Sequence, residues 1–382
     1  MKNILFVKNI IPPYRISLFN DLYNYSQNSK LNFEVFVMSN SEDGRYWEFD
    51  PNSINFKFYN DDKDGYYKYL FRKYHFHFNP NLVKFILKND FDQIVLGSSW
   101  NDFNIVLIIL LKKLGLIKSK IAFWSEANYL TLGAVNDNKI KFLLRKFIFN
   151  TCDSFFLIPG KMASITLFDK WKISPRKTIV LPNLVDSTIY KIDDDILTQR
   201  KKNEAIVFLI VARLEENLKG ILNFLSNIPL DKNIKINIAG EGEDRILYEK
   251  YIKENNLEKK VSLLGNLSES ELLKRYNEAN VFVLPSFSDP SPLSIVEASY
   301  MKLPLLISDR CGNHYETVRN GYNGFVFNPE NIDDMCQKFN HLLNVGVEKL
   351  EEMGLNSYKI VNENFNNEQV IKRFVSNLDV NY

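Results

Sequence analysis

Short apolar runs alternate with longer amphipathic stretches along residues 1–185, a pattern that predicts strands and helices in turn. The expected strands are Asn3–Lys8, Asn32–Met38, Gln93–Gly97, Lys120–Trp124, Ser154–Ile158 and Thr178–Leu181. Helical periodicity fits Pro12–Tyr25, Asn104–Leu114 and Lys139–Phe149 between them. The alternation lapses from Asn183 to Asn203, a polar stretch with Asp193-Asp194-Asp195 that ends in Arg200-Lys201-Lys202 and reads as a connector. It resumes with strands at Ala205–Val211, Lys235–Ala239, Val261–Leu264, Val281–Leu284, Pro304–Ile307 and Gly324–Phe327. Helices are expected at Gly220–Ile228, Arg245–Asn255, Glu269–Ala279 and Leu293–Met301, and the tail from Val347 reads as helical. No internal repeat interrupts the scheme. The expectation is an α/β protein of two doubly wound, mostly parallel sheets facing a central cleft, where open sheets bind ligands beyond their carboxyl strand ends. Residues 1–185 form the first domain, 186–203 the connector, 204–360 the second domain, and 361–382 a helix packing back on the first.

A chain of 382 residues exceeds what one hydrophobic core usually supports, and 45% apolar content suffices for two. Cys152, Cys311 and Cys336 are far apart and lack metal-ligand spacing, which points to a reducing compartment. Lys8 breaks the short apolar run at the N-terminus, so no secretory signal is read. Ile105–Leu111 ends at Lys112 and Lys113, well short of the ~20 residues of a membrane span. A cytoplasmic protein is expected, soluble or attached to the inner face of a membrane. The net charge of +2 conceals an asymmetry. Residues 1–185 hold 25 Lys and Arg against 16 Asp and Glu, or +9; the rest hold 23 against 30, or −7. Tyr66–Tyr74 and Lys139–Phe149 mix cations with aromatic and aliphatic side chains. They suit docking on an anionic membrane, or else are buried helices whose lysines reach out to water. The basic residues are too spread for a nucleic-acid surface.

Chemistry concentrates after the strand Val281–Leu284. Ser291 is a plausible N-cap and Pro292 suits the first turn of the helix that follows. The helix N-terminus would present backbone N–H groups and positive dipole to a phosphate. Glu297, further along that helix, has the reach to bind the hydroxyls of a ribose. Asp289, before it, has the reach to bind those of a sugar. A loop of this kind is common in α/β proteins and does not by itself define an activity.

The segment from Asp289 through Pro292, Leu293 and Glu297 to Ala298 resembles the E-x7-E motif of glycosyltransferase family 4, retaining enzymes of the two-Rossmann-domain GT-B fold. Other landmarks follow in order: Arg213 with Lys219-Gly220, Ala239-Gly240-Glu241-Gly242, Leu264-Gly265, then Gly312, Glu316, Gly321, Asn323 and Gly324. Upstream, Ile11-Pro12-Pro13-Tyr14-Arg15 and Pro182-Asn183 with Asp186 are similar to the family's first loop and hinge. The resemblance is dense over residues 205–330 and thin over 1–180. It implies a transferase of bacterial glycan biosynthesis, moving a sugar from a nucleotide-diphosphate sugar to a saccharide or lipid-linked acceptor with retained configuration. No metal or other cofactor is implied. Arg213 and Lys219 would bind the diphosphate; Gly240, Gly242, Gly265, Ser291, Pro292, Leu293 and Glu297 would contact the donor; Asp289 would meet the sugar. Asp289 stands where the family usually has Glu, and Pro290 and Ser291 replace a Gly and an aromatic residue, which opens the question of which sugar is accepted.

The first domain should hold the acceptor. Where many members carry a cleft His, this chain has Phe123-Trp124-Ser125-Glu126, and Glu126 is the nearest polar candidate for sugar binding or proton transfer. Arg15 is placed to meet the diphosphate or an anionic acceptor, with Trp100 and Asn101 as further acceptor candidates. Asp62-Lys63-Asp64 has the letters of a metal-dependent D-x-D site but sits in a polar loop, and His75 with His77 lacks an evident third ligand. A nucleotide-sugar epimerase and a non-catalytic glycan-binding relative are the competing readings.

Overall fold

The structure is a computed structural model that describes residues 2–27, 29–40, 50–61, 78–131, 138–192, 200 and 204–379. Among these, the first domain contributes β1 (Lys2–Lys8), β2 (Leu31–Val37), β3 (Phe58–Asn60), β4 (Gln93–Gly97), β5 (Lys120–Trp124), β6 (Phe156–Ile158) and β7 (Thr178–Val180). They form one sheet in the order β3-β2-β1-β4-β5-β6-β7. The second domain repeats the winding with β8 (Ile206–Val211), β9 (Ile234–Ala239), β10 (Val261–Gly265), β11 (Val281–Leu284), β12 (Leu305–Ser308) and β13 (Gly324–Phe327), ordered β10-β9-β8-β11-β12-β13. The pairings between these strands are parallel. This is the two-domain, doubly wound α/β architecture expected from the alternation of runs. In both sheets the strand order reverses beside the first strand, between β1 and β4 and between β8 and β11. Those reversals are where crevices open.

Helices cover both faces of each sheet, so the central strands are apolar throughout rather than alternating. In β1, Ile4 and Phe6 enter one core while Leu5 and Val7 enter the other. The edge strand β3 and the helix Pro80–Lys88 were not anticipated from the sequence. β3 has three half-buried or exposed residues, too few to make an apolar run. Asp62-Lys63-Asp64, His75, His77 and the run Tyr66–Tyr74 lie outside the described residues.

The last two helices tie the halves together. Val347–Asn364 packs beside Leu293–Tyr300, and Asn367–Asp379 lies along Pro13–Ser26. Val370, Ile371, Phe374 and Val375 join Phe19 and Leu22 in one core with Val296 and Tyr300 of the second domain. Lys2 Nζ and Lys177 Nζ donate to the terminal carbonyls of Leu378 (3.0 Å) and Asn377 (2.7 Å), which complements the negative end of that helix.

Arg200, the one residue described between 193 and 203, has a structural role. Its buried guanidinium donates to the carbonyls of Tyr276 (2.8 Å), Asn277 (2.8 Å), Met301 (3.0 Å) and Lys302 (3.3 Å). These carbonyls end the helices Glu269–Glu278 and Leu293–Tyr300, whose last acceptors lack intrahelical donors. Arg200→Met should therefore cost about 3 kcal/mol in urea unfolding, since it strands several buried acceptors at once. A loss below about 1 kcal/mol would show that water replaces the guanidinium.

Candidate functional site

The sequence-predicted donor residues gather at the carboxyl ends of β8 and β11. The chain leaving β8 is zipped to the loop after β9: Ala212 N–H donates to Ala239 (3.0 Å), Leu214 N–H to Glu241 (2.9 Å) and Asp244 N–H to Leu214 (3.1 Å). Gly240 and Gly242 permit this approach. A Cβ at Gly240, whose φ is +136°, would lie 2.0 Å from the Ala212 carbonyl oxygen, and one at Gly242 would lie 2.4 Å from that of Leu214. Both glycines thus have a packing reason, and they fix the backbone that carries Arg213.

Arg213 is the more exposed cation, paired with Glu215 at 2.5 Å. Lys219 is nearly enclosed, with its Nζ 2.6 Å from Asp289 Oδ2 and side-chain exposures of 11% and 15%. The intervening turn is held by Glu216, whose carboxylate accepts from the N–H groups of Leu222 (2.8 Å) and Asn223 (3.0 Å) and from Tyr248 Oη (2.7 Å). That carboxylate occupies the N-terminus of Ile221–Asn227, so this helix end is closed to an anion.

The helix Leu293–Tyr300 differs. Pro292, not Ser291, is its N-cap, and no side chain caps its first N–H groups. The expected Ser291 cap is corrected here: the helix starts one residue later, at Leu293, and Pro292 presents its carbonyl to Asn313 Nδ2 (2.9 Å). Asp289 is braced from behind, its carbonyl accepting from Gly312 N–H at 2.8 Å. A Cβ at Gly312 would sit 1.9 Å from the Pro290 oxygen, which explains that glycine as a clamp on the loop. Gly265 ends β10 with φ +72°, and its carbonyl accepts from Gly240 N–H at 2.8 Å.

Glu297 accepts from Tyr276 Oη at 2.7 Å and from Tyr190, a residue of the connector. Burial pushes its carboxyl above the usual range, and the two phenols oppose that shift without cancelling it. Burial and the neighbouring carboxylate hold both phenols up, so both remain donors. Neither tyrosine was legible as a site residue: Tyr276 reads as a helix core position and Tyr190 as linker.

On the first domain, a cavity of about 360 Å³ opens at the carboxyl ends of β1, β4 and β5. Arg15, Trp100 and Glu126 line it, joined by Lys8 and Trp124, which the sequence reading had placed within strands. Arg15 pairs with Glu126 and stacks 4.1 Å from the Trp124 ring centroid. Asn101 does not line the cavity. It is exposed, and its carboxamide oxygen accepts from Ser99 Oγ at 2.5 Å. The two domains touch at these strand ends, where Asn128 Nδ2 donates to the Arg310 carbonyl (2.9 Å) and Lys161 N–H to Glu316 (2.7 Å). Glu316, left without a firm role by the sequence, is thus an interdomain contact. Among the described residues no group of three or more His, Cys, Asp and Glu side chains is placed to hold a metal.

Comparison with known proteins places this geometry in context. A family model described as glycosyl transferases group 1 matches residues 192–360. A probable sucrose-phosphate synthase of Thermosipho melanesiensis is 29% identical over 208 residues, covering 52% of this chain and 47% of that one. The UDP-Gal:alpha-D-GlcNAc-diphosphoundecaprenol alpha-1,3-galactosyltransferase of Escherichia coli is 29% identical over 215 residues, 53% of each. The chain spans about half the length of these curated relatives. Among solved structures, Anabaena HepE in complex with UDP and glucose superposes with a TM-score of 0.71 at 17% identity. The lipopolysaccharide outer core galactosyltransferase WaaB, in its apo form, does so with 0.74 at 16%. Both superpositions cover the whole of each chain, and at that identity they establish the shared fold.

Proposed function

We propose that this protein is a glycosyltransferase of the retaining family 4 type, taking a sugar from a nucleoside-diphosphate sugar to a glycan or lipid-linked acceptor. The observation that carries the reading is the enclosed Lys219–Asp289 pair at the reversal between β8 and β11, beside a helix end that no side chain caps. Cleaving the bond between the anomeric carbon and the phosphate oxygen leaves electrons on phosphate and positive charge on the sugar. Lys219, Arg213 and the first N–H groups of Leu293–Tyr300 offer fixed positive charge to that phosphate. Asp289, braced by Gly312, meets the sugar, and Glu297 anchors the ribose. The acceptor lies in the cavity of the first domain, where Glu126 meets a sugar hydroxyl and holds Arg15 in place. The HepE structures with UDP and the E. coli galactosyltransferase named for a UDP-sugar and a lipid-linked acceptor support the substrate classes. No metal is assigned a role, and turnover should survive EDTA.

A melting screen against nucleoside diphosphates and their sugars tests the reading. A ligand at 100 times its Kd stabilises by about 2.7 kcal/mol, so the matching nucleotide should raise Tm by several degrees. Absence of a shift with every nucleotide overturns it.

We further propose contact with an anionic membrane surface through the helix Lys139–Thr151. Ile140 (76% exposed), Leu143 (63%), Leu144 and Phe147 form a solvent-facing stripe at helical spacing, flanked by Lys139 and Lys141. Exposure of this stripe argues against the alternative of a buried helix with outward-reaching lysines. Arg145, on the opposite side, is buried against the Trp171 ring at 3.8 Å. Among the described residues no helix is long and apolar enough to cross a membrane. The protein should sediment with phosphatidylglycerol vesicles in low salt, and Leu143→Asp with Phe147→Asp should weaken that by ~10-fold or more. Equal binding of the double variant would refute the assignment.

A further inference from the structure

We infer that Tyr276, with Tyr190 of the connector beside it, is a positioning residue for the donor: the phenols hold the Glu297 carboxylate in the one orientation that receives the ribose hydroxyls. The inference rests on the transferase reading above, with Glu297 as its ribose anchor. A glutamate side chain is long and freely rotating, and it loses that freedom when it grips a ligand. Here the freedom is already spent. Tyr276 Oη donates to Glu297 Oε2 at 2.7 Å, while the Ser294 carbonyl lies farther off at 3.4 Å. Tyr276 is 0% exposed, with its ring edge-on to Tyr190 at 6.2 Å and 6.3 Å from that of Phe282. Tyr190 packs against the core that spans the domains and against the core of the second domain, and its phenol bonds Glu297.

The backbone fixes the same pairing. The guanidinium of Arg200 that holds the Tyr276 carbonyl (2.8 Å) also holds that of Met301 (3.0 Å). It ties together the ends of the two helices that carry Tyr276 and Glu297, which sets the phenol against the carboxylate. The helix Glu269–Glu278 is held at its other end by a capping box between Ser268 and Glu271. An ionised carboxylate offers about four acceptor sites, so the two phenols leave about two, the number that adjacent ribose hydroxyls need. Glu297 is half-buried, not closed off from solvent.

The competing assignment makes Tyr276 a core residue whose hydroxyl merely finds a partner. Both assignments expect Tyr276→Phe to lose some stability, so stability does not separate them. The preference for ribose does.

Isothermal titration compares UDP, GDP and ADP with their 2′-deoxy counterparts, UDP being included because the HepE structures hold it. The wild-type protein should bind one ribonucleotide ~10-fold or more tightly than its deoxy form. Tyr276→Phe should cut that ratio to ~3-fold or less, by weakening the ribonucleotide and not the deoxynucleotide. Tyr190→Phe, at a half-buried position, should cut it in the same direction, and decides the matter if Tyr276→Phe does not fold. The ratio cancels titration of the diphosphate, so its pH dependence reports Glu297. It should be full above the raised value of that carboxyl and fall as pH drops through it. Both phenols oppose the rise caused by burial, so removing either should move that fall to higher pH. Among the described residues these phenols face the carboxyl, with Glu269 and Asp186 acting on Tyr190. A ratio within about twofold of wild type in both phenylalanine variants overturns the inference, as does equal weakening of ribo and deoxy forms. Nucleotide binding by the wild type without preference for ribose removes Glu297 as the anchor, and the inference with it. Failure of the transferase reading is separately visible, as absence of binding of any of these nucleotides to the wild-type protein.

Discussion

Lys219→Met is expected to lower turnover by about 10²–10³-fold, the usual consequence of removing one preorganised donor from a developing oxyanion. The expectation follows from where the ammonium sits. It is 11% exposed and fixed 2.6 Å from Asp289, so its charge reaches its partners with little screening by water. Arg213, 42% exposed and tied to Glu215, is the weaker contributor and should lose less. Removing Lys219 also leaves Asp289 as an enclosed carboxylate without its cation, which destabilises the fold independently of chemistry. The double variant Lys219→Met with Asp289→Asn separates the two effects. It should recover the melting temperature and none of the turnover. Turnover in Lys219→Met within about tenfold of wild type would remove this lysine from the diphosphate site.

The second large effect is expected at Glu297, and it has opposite signs for binding and stability. Glu297→Gln should raise donor KM by about 10–100-fold, the worth of hydrogen bonds to a charged group. The free protein should nevertheless not be weakened at neutral pH. The carboxyl of Glu297 is raised above its ordinary 4.5 by burial, so the folded state holds its proton more tightly than the unfolded chain. Its favourable contribution is complete below about pH 4.5 and is lost as pH rises through the raised value. Above that raised value the ionised, desolvated carboxylate is therefore a strain that the amide relieves. Urea unfolding at pH 7.5 and pH 5 checks the sign: the wild type should gain on the variant as pH falls. A wild type clearly more stable than Glu297→Gln at pH 7.5 would mean that the bonds from Tyr276 and Tyr190 outweigh the burial. A carboxyl group buried at a cost to the fold is consistent with the proposed ribose anchor.

Much of this was readable before any coordinates. Twelve runs of apolar residues marked strands that the structure contains, because each strand face turned to a core needs apolar side chains, on both faces in the centre of a sheet. The resemblance to family 4 singled out Arg213, Lys219, Asp289 and Glu297, and the structure sets them after the strands where the sheet order reverses. β3 escaped because an edge strand of three residues buries too little to leave a pattern.

What the sequence by itself determined, then, is the class of fold, set by local pattern, while the residues proposed to hold the donor came from motifs that resemble family 4. Only the tertiary structure decided which groups face one another. It closed one helix end with Glu216 and left another uncapped, and it turned Gly240, Gly242 and Gly312 into clamps on neighbouring carbonyls. It set Tyr190 and Tyr276 on Glu297, and Lys8 and Arg15 on Trp124. These pairings join residues up to 107 positions apart (Tyr190 to Glu297), or 116 (Lys8 to Trp124). The physical reason is that charge and hydrogen bonding act over a few ångströms of space, whatever the separation along the chain.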